Sequence, residues 1–133
     1  MILVKIKAGA SKIHGLGLIA DEFIPKGTKT FEYIDWFDTS FAPEDLEKMS
    51  EPARAQILWY AYIDKDTGRY HLCTDDQRFI NHSSDPEKIN IGSTPNYDIA
   101  LKDIQPGEEL LCNYNDFDDT YWKRHGIAEE DLI

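Results

Sequence analysis

Apolar and polar residues alternate in short runs along most of this chain, and glycine- or proline-containing turns break the runs. Residues Ile2 to Lys7 put Ile2, Val4 and Ile6 on one face and Leu3, Lys5 and Lys7 on the other, which predicts a half-buried strand. Ala8 to Ser11 reads as a turn. Lys12 to Ala20 carries Gly15-Leu16-Gly17 just before an apolar run, with a strand expected over Leu18 to Ala20. Such a Gly-x-Gly serves either a bulge or tight turn, or the close approach of backbone to a ligand. It lacks the third glycine and the long following helix of a dinucleotide-binding fingerprint, so that class is set aside. Ile24-Pro25-Lys26-Gly27 is a turn of Pro-x-Gly type, and Thr28 to Ile34 is a strand rich in Thr, Phe, Tyr and Ile.

Residues 35–61 change character. Thr39 or Ser40 is expected to cap a helix, with Pro43 in its first turn and Glu44 and Asp45 at its positive end. Leu46 and Met49 give it one apolar face. Ser50-Glu51-Pro52 restarts a helix whose Ile57, Leu58, Tyr60 and Ala61 are expected to cover core. Trp59, Tyr60 and Tyr62 concentrate aromatics here, either as core or as the wall of an aromatic slot. Tyr60 to Asp64 and Arg69 to Cys73 flank Lys65-Asp66-Thr67-Gly68, a hairpin signal.

Thr74 to Gln77 links into Arg78-Phe79-Ile80-Asn81-His82-Ser83-Ser84-Asp85-Pro86. Asn81, His82, Ser83 and Asp85 can all bond to backbone, which predicts an ordered loop rather than a helix. Glu87 to Thr94 reads as loop, Tyr97 to Leu101 as strand, Ile104 to Gly107 as turn and Glu109 to Cys112 as strand. Asp118 to His125 predicts a short helix ending near Gly126.

A chain of 133 residues suits one domain. Its net charge of −11 argues against nucleic-acid binding, which wants a basic face; it suits either a basic protein partner or solubility alone. Cys73 and Cys112 sit in apolar surroundings and read as buried, inert thiols; no cluster has zinc-ligand spacing, so no metal is expected. No run approaches membrane-spanning length, and Met1 to Lys5 meets charge too early for a signal peptide. The expectation is a soluble intracellular protein, cytoplasmic or nuclear. Ser83 and Ser84 beside His82 form no nucleophile elbow, and the paired carboxylates Asp75-Asp76, Glu108-Glu109 and Asp118-Asp119 read as solvated faces or caps, so hydrolase chemistry is disfavoured.

The order Gly15-x-Gly17, Arg78-Phe79-Ile80-Asn81-His82-Ser83 and Gly107-Glu108-Glu109-Leu110-x-x-x-Tyr114 resembles the SET-domain family of protein-lysine methyltransferases, over about Lys5 to Trp122. The chain is similar to the short viral-type members that have no zinc segment after the domain. The resemblance implies a β-rich α+β fold of several small sheets, with a helical insertion over 35–61 and a C-terminal pseudoknot. It places a single domain over 1–125, a closing segment over 115–125 and an acidic tail over 126–133.

The resemblance also implies methyl transfer from S-adenosylmethionine to a lysine ε-amine, with S-adenosylhomocysteine as product. Carried over residue by residue, the cofactor is held by His14, Gly15, Leu16, Gly17, Asn81 and His82, and Tyr114 is the active-site tyrosine, also beside the cofactor. Tyr33 and Tyr62 line the lysine channel. Trp122 either closes the cofactor site or anchors the core. In-line transfer makes alignment most of the task. Lysine reaches its neutral form at pH 7 at a cost of about 4–5 kcal/mol, which desolvation and a nearby sulfonium reduce.

Two departures stand out: Ser84 replaces the usual cysteine and Glu87 the usual asparagine, with Asn90 as a substitute for the latter. The implied partner is a lysine-containing basic protein, histone-like or ribosomal, and a homodimer is plausible without flanking domains. The alternative is a catalytically silent SET domain that binds a basic peptide.

Overall fold

The computed structural model describes residues 1–128 and 131. Among these residues it has ten short strands in three small sheets, and three short α-helices. In the first sheet, β1 (Ile6–Ala10) and β2 (Leu16–Ala20) form a hairpin, β2 pairs with β10 (Glu109–Cys112), and β10 pairs in parallel with β7 (Asn81–His82). The second sheet orders β3 (Lys29–Glu32), β9 (Tyr97–Ala100) and β8 (Ile91–Ser93). The third orders β4 (Thr39–Phe41), β6 (Tyr70–Leu72) and β5 (Tyr62–Ile63). No described helix is long and apolar enough to cross a membrane.

The first strand is displaced from its expected place. Residues 8–10 are strand, not turn, because the register Ile6↔Ala20 to Ala10↔Leu16 continues until Gly15 turns the chain with φ of 51°. Ile2 keeps only a single bridge to Phe31. Thr39 and Ser40 do not cap a helix: they pair with Leu72 and His71 as part of β4. α1 (Pro43–Glu47) starts instead from Ala42, whose amide is bonded by Asp45 in the first turn.

The restart at Ser50 stands, with its hydroxyl accepting from the Ala53 amide at 3.4 Å at the head of α2 (Glu51–Tyr60). None of α2 is buried; Ile57 and Leu58 are half-buried, Tyr60 is exposed and only Ala61, past its end, enters the core. The 60–73 hairpin and the turn at Gly27 form as expected. Residues 91–93, expected as loop, are strand β8, and the central stretch is a 3₁₀ turn over Asp76–Phe79 followed by β7.

Leu18, Ile24, Ile91, Ile104 and Leu110 are fully buried where the first two sheets meet, joined by Ile80 and Cys112. Cys73 and Cys112 are buried thiols whose burial raises their pKa, consistent with inertness. Asn90, suggested as a substitute for the missing asparagine, ties β10 down: its Nδ2 donates to the Glu109 carbonyl at 2.8 Å and its Oδ1 accepts from the Leu111 amide at 2.9 Å.

The C-terminal segment is anchored by Asp118, which is 1% exposed and not a solvated carboxylate. It accepts from the Ile63 amide at 2.9 Å, the Thr120 amide and hydroxyl, and Arg124. α3 (Tyr121–Arg124) follows and ends at Gly126 with φ of 64°. It is shorter than the expected 118–125 because Asp118 and Thr120 are used as anchors. Of the tail expected over 126–133, residues 129, 130, 132 and 133 lie outside the described residues.

Burial pushes the Asp118 carboxyl up, but the Thr120 hydroxyl, the Ile63 amide and Arg124 outweigh it and hold it below the ordinary carboxylate value. A lowered folded-state value means that its contribution is present above about pH 4 and lost as pH falls through the folded value. Asp118→Ala leaves Arg124 and the Ile63 amide without their partner, so a loss of about 3–5 kcal/mol is expected. Urea unfolding at pH 7 measures it, and the difference from the parent narrows below pH 4.

Candidate active site

One cavity of about 300 Å³ opens between the loop 11–16, the end of α2, the 77–82 stretch and the C-terminal segment. His14, Gly15, Leu16, Asn81, His82, Tyr114, Trp122 and Tyr62 all line it. Two of the expected site residues do not. Tyr33 stacks on His71 at 4.3 Å, and His71 in turn meets the edge of Tyr62 at 5.4 Å. Gly17 lies behind the wall.

The two glycines of Gly15-Leu16-Gly17 do different work. Gly15 takes a left-handed conformation that other residues disfavour, with open space where a Cβ would stand. Gly17 is a matter of contact: a Cβ there would lie 2.8 Å from Glu109 Cδ and 3.1 Å from Asn81 Nδ2.

What occupies that space is a polar clamp. Asn81 Nδ2 donates to the carbonyls of His14 (3.0 Å) and Leu16 (2.9 Å) and reaches Glu109 Oε1 (3.0 Å). Glu109 Oε1 also accepts from Ser11 Oγ at 2.7 Å, and Ser11 Oγ accepts from the amides of Ile13 and His14. The loop that forms one cavity wall is thus held at both ends by Ser11 and Asn81, with Glu109 joining them. Asn81 Oδ1 makes no hydrogen bond among the described residues. Glu109 is therefore not the solvated carboxylate that its acidic neighbour Glu108 suggests. The signal available in the sequence is its place in strand β10, where side chains alternate between the two faces of the sheet.

His82 is held as a neutral ring. Its Nδ1 accepts from the Tyr114 amide at 3.1 Å, so the proton sits on Nε2, which donates to Ser84 Oγ at 2.8 Å. Burial lowers its pKa to about 4. The Tyr114 amide thereby fixes the tautomer, and Ser84, where the resemblance expects cysteine, takes the remaining ring proton.

The Tyr114 hydroxyl donates to the Ile80 carbonyl. Burial, aided by Cys112 and Tyr121, pushes its phenol well above the ordinary value, so it stays protonated at neutral pH. With its proton committed to Ile80, its oxygen can only accept from a group in the cavity. Trp122 stacks on Tyr114 at 5.4 Å and 10°, and meets His82 edge-on at 4.5 Å. Its Nε1 donates to Asn115 Oδ1 at 3.1 Å. The opposite rim is closed where the Tyr121 hydroxyl donates to the Trp59 carbonyl at 2.7 Å and His125 packs on Trp59 at 5.1 Å.

The SET domain family matches residues 15–115. A histone-lysine N-methyltransferase of Mycosarcoma maydis, H3 lysine-36 specific, is 33% identical over 111 aligned residues, which span 76% of this chain and 11% of that protein. The Chaetomium thermophilum Polycomb Repressive Complex 2, in a humanized mutant bound to an inhibitor, superposes with a TM-score of 0.64 at 24% identity. That match covers 90% of this chain and 16% of the other. The same complex in an autoinhibited conformation bound to S-adenosylmethionine gives a TM-score of 0.65 at 23% identity, over 93% of this chain and 17% of the other. The chain thus spans well under a fifth of the length of these relatives, and the structural likeness concerns the fold.

Proposed function

Since this chain belongs to the SET-domain family, we propose that it transfers methyl from S-adenosylmethionine to the ε-amine of a lysine in a basic protein, histone-like or ribosomal. The observation that carries this reading is the clamp: Asn81 holds the 14–16 backbone on the wall of the cavity that Tyr114 and Trp122 share. The cavity fits the cofactor in kind, with a backbone-lined loop, an unused Asn81 Oδ1 and aromatic faces. S-adenosylmethionine supplies an activated methyl on a sulfonium when bound.

His14, Gly15 and Leu16 present backbone atoms to it, with Asn81 Oδ1 available to its ammonium and His82 beside its ring system. Gly17 contributes from behind the wall, by leaving room for Asn81 and Glu109. Trp122 covers the Tyr114 ring and excludes water, which strengthens each polar contact inside. The Tyr114 oxygen accepts an N–H of the incoming amine and so fixes its direction, and orientation of this kind supplies most of the rate. Tyr62 lines the lysine side of the cavity, and Tyr33 supports it through His71. The acidic balance of the chain, −11, steers a basic substrate toward it.

The test is transfer of radiolabelled methyl from S-adenosylmethionine to core histones and to ribosomal proteins, with mass spectrometry of the labelled residue. Methyl-lysine in one of these is the expected result. Cofactor binding with no lysine labelled, together with retention of a basic peptide, would instead fit a silent peptide-binding SET domain.

A further inference from the structure

At the wall of the cavity formed by β9 and the 3₁₀ turn, the chain buries a carboxylate that has no paired cation among the described residues. Asp98 is 5% exposed and lines the cavity. Its Oδ2 accepts from Gln77 Nε2 at 2.7 Å, and Gln77 is buried too. That is its one well-formed hydrogen bond among the described residues, with the Ser93 hydroxyl near enough to act on it, and no Lys, Arg or His among those residues stands within ion-pair distance. Ser93, opposite Asp98 across the β8–β9 pair, buries a hydroxyl beside the carboxylate that makes no well-formed hydrogen bond among the described residues. The rest of this wall is aromatic or apolar, with Phe31, Tyr62 and Phe117.

A buried carboxylate without a cation is costly unless it is neutral or a cation arrives. We propose that the Gln77–Asp98 pair recognises a primary alkylammonium, the head of the target lysine as it enters and before it gives up a proton to become the neutral amine at Tyr114, while its methylene stem packs on the aromatic wall. Gln77 holds one carboxylate oxygen and leaves the other for the ammonium, and the Ser93 hydroxyl is close at hand. The inference rests on the methyltransferase reading for the identity of the ligand, but the site itself stands on Asp98, Gln77 and the cavity.

Burial pushes the Asp98 carboxyl up to about 7, against the lowering effect of the Ser93 hydroxyl and the Gln77 amide. The other groups that act on it or feel it are the Met1 ammonium, the Tyr62 phenol and the thiols of Cys73 and Cys112. The Met1 ammonium is already paired with Asp38 at 3.2 Å. A bound cation favours the charged carboxylate, so it must lower the Asp98 midpoint, and binding must tighten as pH rises through that midpoint.

The experiment uses n-butylammonium chloride as the probe and the whole chain at pH 8, followed by NMR of the Gln77 side-chain amide and the Asp98 carboxyl carbon. Saturable shifts at both groups, a lowered Asp98 midpoint and at least tenfold weaker binding in Asp98→Asn are expected, while neutral n-butanol binds both proteins alike. Equal binding of the ammonium by the two proteins, or an Asp98 midpoint that does not move, overturns the proposal. The midpoint is read in the unmodified protein, so the outcome does not depend on the variant folding. S-adenosylmethionine titrated separately keeps the two readings apart: ammonium binding without cofactor binding would sink the methyltransferase reading alone, and the reverse would sink this one alone.

Discussion

Tyr114→Phe is expected to lower the rate of methyl transfer by about a hundredfold or more while the protein still binds S-adenosylmethionine. The ring keeps its packing in the variant: the stack on Trp122 at 5.4 Å and the edge contacts with His82 and Tyr121 need no hydroxyl. What is lost is the oxygen that faces the cavity and the hydrogen bond to the Ile80 carbonyl. Loss of that bond costs about 1 kcal/mol of stability, or up to 3 if the carbonyl finds no water. The variant therefore has to be compared at a temperature where both proteins are folded. A fall in kcat with cofactor affinity within about threefold of the parent identifies an orienting group. An unchanged kcat would reduce Tyr114 to a packing residue.

Asn81→Ala is expected to weaken cofactor binding by about a hundredfold. It removes both donations to the loop backbone and the contact with Glu109. Such bonds contribute about 0.5–1.5 kcal/mol each, and about 2.7 kcal/mol in affinity is a factor of a hundred. Gly17→Ala attacks the same clamp from the other side. Its new methyl meets Glu109 and Asn81, and both must move. The two variants are expected to fail alike, with intact circular dichroism and weak binding. If Gly17→Ala binds the cofactor normally, the clamp is not what shapes the loop.

Much of the site can be read along the chain because its parts are local. Asn81 and His82 are neighbours in sequence, and Gly15 in its turn and Gly17 in β2 lie two positions apart. Local turn chemistry likewise marks the 60–73 hairpin, the Gly27 turn and the helix restart at Ser50. Elements too short to show a period are harder. β7 has two residues and β8 three, and each exists only because a partner strand lies beside it. Thr39 and Ser40 have the right chemistry for a cap, but pairing with β6 satisfies their backbone first.

The carboxylates show the limit most clearly. Asp118, Glu109 and Asp98 look alike in sequence to their solvated neighbours. Burial sets them apart, and it comes from segments far along the chain: Ser11 reaches Glu109 across 98 positions, and Ile63 reaches Asp118 across 55. Tyr33 shows the converse. An aromatic position in the expected strand is legible, but its stack on His71 rather than on the cavity depends on how β4, β5 and β6 pack.

The measurement that bears most directly on the cofactor site is calorimetric titration of the protein with S-adenosylmethionine, with Asn81→Ala run beside it. Saturable binding at one site per chain, lost or weakened about a hundredfold in a variant that remains folded, is the predicted result. No heat of binding from a folded parent protein, or equal affinity in the two, would contradict it.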